Sequence, residues 1–144
     1  MSLGDAVVWP PGWRRQTVGG VVVATSPTWP GGRPPAQLEW RRGAPAPELD
    51  AAAVEDEDRY DLAGHEVAYR RLGHRSGDVE LVSEEWRWQV GGELLVLTGT
   101  VPRVDYIAVC DLFEEVAASV DPSQAEGGPV WPDVREPISR TDRS

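Results

Sequence analysis

The sequence predicts an α+β domain in which an antiparallel β-sheet packs against a C-terminal helix and one or more short helices. Apolar and polar residues alternate through most of residues 5–120, which is the period of strands. Gly91-Gly92 separates two such alternating runs and has the length and composition of a two-residue hairpin turn. Beyond Pro102, the residues Tyr106, Val109, Cys110, Phe113, Val116, Ala117 and Val120 recur at three- and four-residue steps, the stripe of one amphipathic helix.

In chain order, Pro10-Pro11-Gly12 turns into a β-branched strand over 17–24. The stretch 27–35, rich in Pro and Gly, is loop. Gln37 to Arg42 alternates, with Leu38 and Trp40 on one face, and 43–47 is loop again. Residues 48–58 fit a short helix with Leu49, Ala52 and Ala53 as its weak apolar side. The run Glu55-Asp56-Glu57-Asp58 reads as a solvated acidic turn: its acids are contiguous, whereas a calcium loop spaces its oxygen ligands around a central glycine. Residues 63–72 form a strand with Val67 and Tyr69 on one face, and 73–77 a hairpin loop. A long strand, 78–90, then turns at Gly91-Gly92 into a returning strand, 93–101.

That turn sets the register. Val90 faces Glu93, Trp88 faces Leu95 and Trp86 faces Leu97, and cross-strand neighbours share a face. These Trp and Leu residues form the core side. Glu85, Arg87, Gln89, Leu94, Val96 and Thr98 form a half-polar opposite face. Pro102 suits the first turn of the final helix, and Asp121-Pro122 stops it. Residues 1–120 are thus a single domain, and 121–144 a flexible Pro/Gly-rich tail with Trp131 as a possible docking point.

Composition excludes several functions. The chain has 144 residues, 14 basic against 24 acidic, and a net charge of -10. Every basic residue is Arg, and the Arg-, Gly- and Pro-rich bias fits a bacterial GC-rich genome. An acidic chain without a basic cluster does not suit a nucleic-acid backbone. No basic amphipathic helix suits an anionic membrane surface, and no apolar run approaches the roughly 20 residues of a bilayer span. The N-terminus shows no export signal, and Cys110 is the single cysteine, so a cytoplasmic protein is expected.

No catalytic, cofactor or metal site is legible. His65 and His74 read as surface or turn residues at strand ends, without ligand-spaced partners. Cys110 lies on the helix's apolar stripe and reads as an inert packed thiol. Ser-based catalysis has no Gly-x-Ser-x-Gly elbow, and Gly19-Gly20 precedes a strand rather than a phosphate-binding helix. Tryptophan is unusually frequent, with 7 against one Phe. Trp13, Trp40, Trp86 and Trp88 fit a core; Trp9, Trp29 and Trp131 sit beside prolines and read first as clamps on the fold, second as anchors for a partner.

From Asp61 the chain reads DLAGHEVAYRRLGHRSGDVELVSEEWRWQVGGELLVLTGTVPRVDYIAVCDLFEEVAASV, and Pro10-Pro11-Gly12-Trp13 precedes its first strand. This order of a Leu-x-Gly turn, a long hairpin, a Tyr-bearing helix start and a Phe-Glu-Glu-Val turn resembles the PsbP-like fold family. That family includes PsbP, the Ran-binding regulator Mog, DcrB-type proteins and type VI secretion effector chaperones. The resemblance spans residues 8–120 and implies an antiparallel sheet with helices at one face or end. It also implies binding of proteins or apolar segments rather than chemistry. The resulting expectation is a non-enzymatic, chaperone-like or adaptor module that holds a protein segment, needs no cofactor, and contacts neither nucleic acid nor membrane. Its partner-binding residues are Arg87, Gln89, Leu94 and Val96 on the sheet face, with Trp29 in the loop. A carrier enclosing a small apolar ligand is the alternative.

Overall fold

Alternation of Trp and Leu with polar residues on both sides of Gly91-Gly92 builds the centre of the sheet. In a computed structural model that describes residues 3–29, 33–43 and 52–125, this pair joins Val79–Val90 to Glu93–Pro102. Both glycines have positive φ, 56° and 82°, as the tight turn requires. The register is the expected one: Val90 pairs with Glu93, Trp88 with Leu95 and Trp86 with Leu97. The strands in chain order are β1 (Arg14–Val18), β2 (Val21–Thr25), β3 (Gln37–Arg42), β4 (Ala53–Leu62), β5 (His65–Ser76), β6 (Val79–Val90) and β7 (Glu93–Pro102). They form one seven-stranded antiparallel sheet in the order β1-β2-β3-β7-β6-β5-β4.

Three boundaries differ from expectation. The strand expected over 17–24 is a hairpin, because Gly19-Gly20 reverses the chain between β1 and β2. The expected loop 73–77 is mostly strand: β5 runs on to Ser76, and the reversal falls at Gly77-Asp78. The short helix expected over 48–58 is not found where the chain is described; residues 44–51 lie outside the described set, and Ala53 onward is β4. Pairing decides that segment, since Asp56 lies opposite Arg71 and Glu57 opposite Arg70. Opposite charges across a ladder favour the strand, and this tertiary context overrides a weak helical pattern. The acidic run is therefore an exposed edge strand rather than a turn.

Helix α1 (Tyr106–Ala118) follows a 3₁₀ turn at Arg103–Asp105 and packs on β7 and β6. Its buried residues are Val109, Phe113, Val116 and Ala117. Beneath it Trp40, Trp86, Trp88, Leu38, Leu95 and Leu97 are almost fully enclosed. Trp40 and Trp88 meet edge to face, with ring centroids 5.8 Å apart. The Phe113 ring lies directly on Gly99 of β7; a Cβ there would sit 2.7 Å from the ring. The loop before β3 is held to the foot of the helix by Arg33, which donates two hydrogen bonds to the Asp105 carboxylate at 2.8 and 2.7 Å. At the other end of α1, the Asp121 N–H donates to the Ala6 carbonyl at 2.9 Å, and a one-turn helix, Pro122–Ala125, lies against the 3₁₀ turn Leu3–Ala6. The described fold thus continues into the first residues of the expected tail; Trp131 lies outside the described residues.

The Gly99 contact can be tested by a double-mutant cycle. Gly99→Ala is expected to destabilise the protein by about 1–3 kcal/mol through overpacking, and Phe113→Ala by about 3–5 kcal/mol through a cavity. In the Phe113→Ala background, Gly99→Ala should cost almost nothing, as read by chemical denaturation. Additive effects would show that the ring does not set the helix-to-sheet distance.

Candidate functional site

Two concavities flank the β4-β5-β6 half of the sheet, one on each face. The outer one follows from strand register. Arg59, Ala68 and Arg87 stand side by side across β4, β5 and β6. The small Ala68 between two long arginines leaves a depression of about 270 Å³, also lined by His65, Glu66, Gln89 and Leu94. Three of the expected partner-binding residues, Arg87, Gln89 and Leu94, therefore share one groove.

Val96 and Trp29 are placed elsewhere. Val96 is fully buried between Arg41 and Arg87 in the ladder, so it supports the face without being open to a partner. Trp29 is partly buried against the core, with its indole N–H buried and making no hydrogen bond. That position fits the clamping role. The outer face is also drier than a wet sheet face, because Glu85 and Thr98 are buried as well. Glu85, with its side chain 0% exposed, accepts hydrogen bonds from Arg70 at 2.8 and 3.3 Å. Arg87 Nε is buried and forms an ion pair with the same carboxylate at 3.4 Å, out of line for a hydrogen bond.

The inner concavity was not foreseen. It is a cleft of about 400 Å³ between one edge of α1 and the inner face of β4, β5 and β6. Tyr106, Cys110 and Glu114 succeed one another at four-residue steps along the helix edge and line it, with Asp111 beside them. The sheet supplies Asp58, Tyr60, Tyr69, Glu84 and Trp86. Cys110 is consequently a half-exposed wall residue and not the core thiol that the periodicity suggested. The apolar stripe ends at Val109 and Phe113, and Cys110 falls one step round the helix from them.

Glu84 is the most unusual of these residues. It occupies an inward position of β6, between Val82 and Trp86, and is only 6% exposed. Both Tyr69 and Tyr106 donate hydrogen bonds to its Oε2, the latter at 3.0 Å. Its Oε1 is buried and has no hydrogen-bond partner. Burial pushes the Glu84 carboxyl above the usual range; the two tyrosine hydroxyls and Arg71 pull the other way, and Glu114 adds to the rise. Burial, reinforced by Glu84, likewise raises the Tyr69 and Tyr106 hydroxyls. Tyr60 accepts a hydrogen bond from the Trp86 indole at 2.9 Å, which fixes the floor of the cleft. An acidic residue in the same alternating register as Trp86 and Trp88 was the sequence signal for this site.

The histidines do not converge. His74 Nε2 is 2.8 Å from Ser83 Oγ, which is 2.6 Å from Thr100 Oγ1, a chain running across β5, β6 and β7. Ser83 is fully buried, so this pair cannot reach a substrate. His65 lies apart in the outer groove. Among the described residues no group of three or more His, Cys, Asp or Glu is placed to hold a metal ion, and no helix is long and apolar enough to cross a membrane.

A seven-stranded antiparallel sheet with its principal helix on one face defines an α+β protein. No family model matches the chain, and no curated protein matches it. Solved structures do. The chain is similar to the solution structure of the cyanobacterial PsbP, CyanoP, from Synechocystis sp. PCC 6803, with 15% identity, a TM-score of 0.57, and coverage of 83% of this chain and 88% of that one. It is also similar to PA94, a protein of unknown function from Pseudomonas aeruginosa, with 14% identity, a TM-score of 0.58, and coverage of 79% and 88%. The fold is PsbP-like, as the strand and helix order implied.

The raised Glu84 carboxyl has a defined consequence for stability. Its folded-state pKa lies above the ordinary glutamate value, so the folded protein holds this proton longer than the unfolded chain. The stability associated with that proton is complete below about pH 4.5 and is lost as pH rises through the folded value. Glu84→Gln cannot titrate. Its stability relative to the parent is therefore expected to rise as pH is raised from about 4 to about 8 in parallel urea titrations. A difference independent of pH would show that Glu84 ionises in the fold without cost.

Proposed function

We propose that this protein is a non-enzymatic binding module of the adaptor or chaperone-like kind, which holds a segment of a protein partner in the outer sheet groove. The observation that carries this is the open groove in which Arg59, Arg87, Gln89 and Leu94 stand together, with Arg87 held only by a 3.4 Å ion pair to Glu85. An extended segment offering a carboxylate or carbonyl oxygen would pair with the arginine head groups, and Leu94 offers an apolar contact alongside. The flanking Arg59 and Arg87 favour an acidic segment. Both concavities are open and carry polar linings, which favours a presented segment over a small apolar ligand enclosed in a pocket. The arrangement of His74 and the buried Ser83 supports a role without catalysis. The proposal includes the cytoplasmic setting expected from the sequence.

Stability and binding should separate by sheet face. Trp88→Ala removes an enclosed side chain and is expected to cost about 3–5 kcal/mol. Arg87→Ala leaves Glu85 its hydrogen bonds from Arg70 and should cost about 1 kcal/mol or less. A photo-reactive residue at Leu94, introduced in the native host, is expected to crosslink a discrete protein partner. The same adduct should disappear in the Arg87→Ala background while the protein still melts cooperatively. An adduct that persists without Arg87 would place the partner on another surface.

A further inference from the structure

The inner cleft has the opposite chemistry to the outer groove. Four carboxylates line it, those of Asp58, Glu84, Asp111 and Glu114, and no Lys, Arg or His does. Its remaining walls include the rings of Tyr60, Tyr69, Trp86 and Tyr106. Tyr69 stands 5.4 Å from Trp86 and 6.3 Å from Tyr60, centroid to centroid, so the rings form a continuous aromatic wall. We propose that this cleft is a binding site for an organic cation, the ammonium or guanidinium end of a flexible chain such as a lysine or arginine side chain.

Acidic residues alone would not make a site. The decisive second observation is Glu84, a lining residue only 6% exposed, whose buried Oε1 has no hydrogen-bond partner while Oε2 accepts from two tyrosines. A carboxylate held this way is oriented before any ligand arrives, and its second oxygen is left with the capacity to accept one N–H. The aromatic wall favours the same kind of guest, because a cation over a ring face is attracted by the ring's quadrupole.

Size and geometry select an organic cation over a metal ion. About 400 Å³ is far more than a bare ion needs, and the described carboxylates do not converge on one point. Arg71 is the nearest internal competitor, opposite Glu84 in the β5–β6 ladder. It donates to Glu55 at 3.4 Å and lies 5.9 Å from the centroid of the Tyr106 ring, so its charge favours ionised Glu84 without filling the Oε1 position. Arg103 also donates to Glu55, and Glu84 Oε1 is left with no hydrogen bond.

Cys110, in the cleft wall and the only cysteine of the chain, supplies the reporter. The rate of its alkylation by iodoacetamide is measured with n-butylammonium, n-butylguanidinium or the neutral n-butanol present, at constant ionic strength set with magnesium chloride. Either cation is expected to slow alkylation severalfold at millimolar concentration, and butanol is not. The Trp86 indole resonance should shift with the same apparent affinity. Glu84→Gln should weaken the cations roughly tenfold or more, the loss typical of a hydrogen bond to a charged group. Glu114→Gln, on the exposed helix edge, should weaken them by a smaller factor in a protein whose fold is untouched. Acetyl-arginine-amide binding at least as well as butylguanidinium would assign the guest to a peptide side chain; weaker binding would assign it to a free amine. Equal protection by butanol, or no protection and no indole shift with any cation, would overturn the proposal. Failure here leaves the Leu94 crosslink intact, and failure of that crosslink leaves the cation titration intact, since the two sites lie on opposite faces of the sheet.

Discussion

Side-chain parity in the β6–β7 hairpin is the constraint on which the rest of the structure depends. The turn at Gly91-Gly92 admits one register, and from it Val82, Glu84, Trp86 and Trp88 face the helix while Ser83, Glu85, Arg87 and Gln89 face away. A slip of one residue would exchange these sets completely. It would carry three indole- or isopropyl-bearing side chains out of the core and bring an arginine and a glutamate into it. The neighbouring strands repeat the division, since Trp40 pairs with Leu97, Tyr69 with Trp86, and Arg70 with Glu85. The helix can then approach only where the inward side chain is absent, which is what Gly99 provides beneath Phe113.

The same parity separates two electrostatic surfaces that are only a sheet's thickness apart. On the outer face, Arg41, Arg87 and Arg59 fall in one row across the strands, and Glu39, Glu85, Arg70 and Glu57 in the next. Adjacent rows neutralise each other, and the Glu85 carboxylate is buried because Arg70 and Arg87 reach it. On the inner face a single arginine, Arg71, stands opposite Glu84 and hydrogen-bonds Glu55. Two tyrosine hydroxyls and the Arg71 charge favour ionised Glu84, and the helix edge adds Asp111 and Glu114 rather than a further counter-charge. The outer face is thus a nearly compensated ionic surface, and the inner cleft a less compensated acidic one with an unused acceptor.

Much of the centre was legible because local and tertiary signals agree there. Gly91-Gly92, the Trp and Leu alternation, and the stripe on α1 each specify the same core, and the expected cross-strand pairs are the ones formed. The edges were less legible. β4 carries a run of four acids near its start, and that run is strand because Arg70 and Arg71 lie opposite it, which no local pattern records. Gly73 looks like a turn residue in sequence, yet it sits inside β5, paired with Ala53 and Val82 on either side, and the Glu55 carboxylate lies over its open face. The shared outward face of Arg87, Gln89 and Leu94 was legible from the hairpin register, although the burial of Val96 between Arg41 and Arg87 was not. The inner cleft combines β4, β5, β6 and one helix edge, residues up to 56 positions apart from Asp58 to Glu114, and only the conflict between Glu84 and its apolar register hinted at it.

That conflict is informative about why the residue stands where it does. An apolar side chain at position 84 would continue the Trp86 and Trp88 surface, fill the cleft floor and remove an ionisable group from the interior, all of which favour the fold. Glu84 does none of these. Two tyrosines from different elements, Tyr69 on β5 and Tyr106 on α1, are committed to one of its oxygens. The hydroxyls orient the carboxylate but cannot also satisfy its second oxygen, so the arrangement is complete as a support and incomplete as a core. Sites that break the local rules of packing while being held rigidly by their neighbours are where function is expected to override stability. By that criterion the inner cleft, rather than the better-compensated ionic ladder of the outer face, is the part of this sheet whose composition the fold alone does not explain.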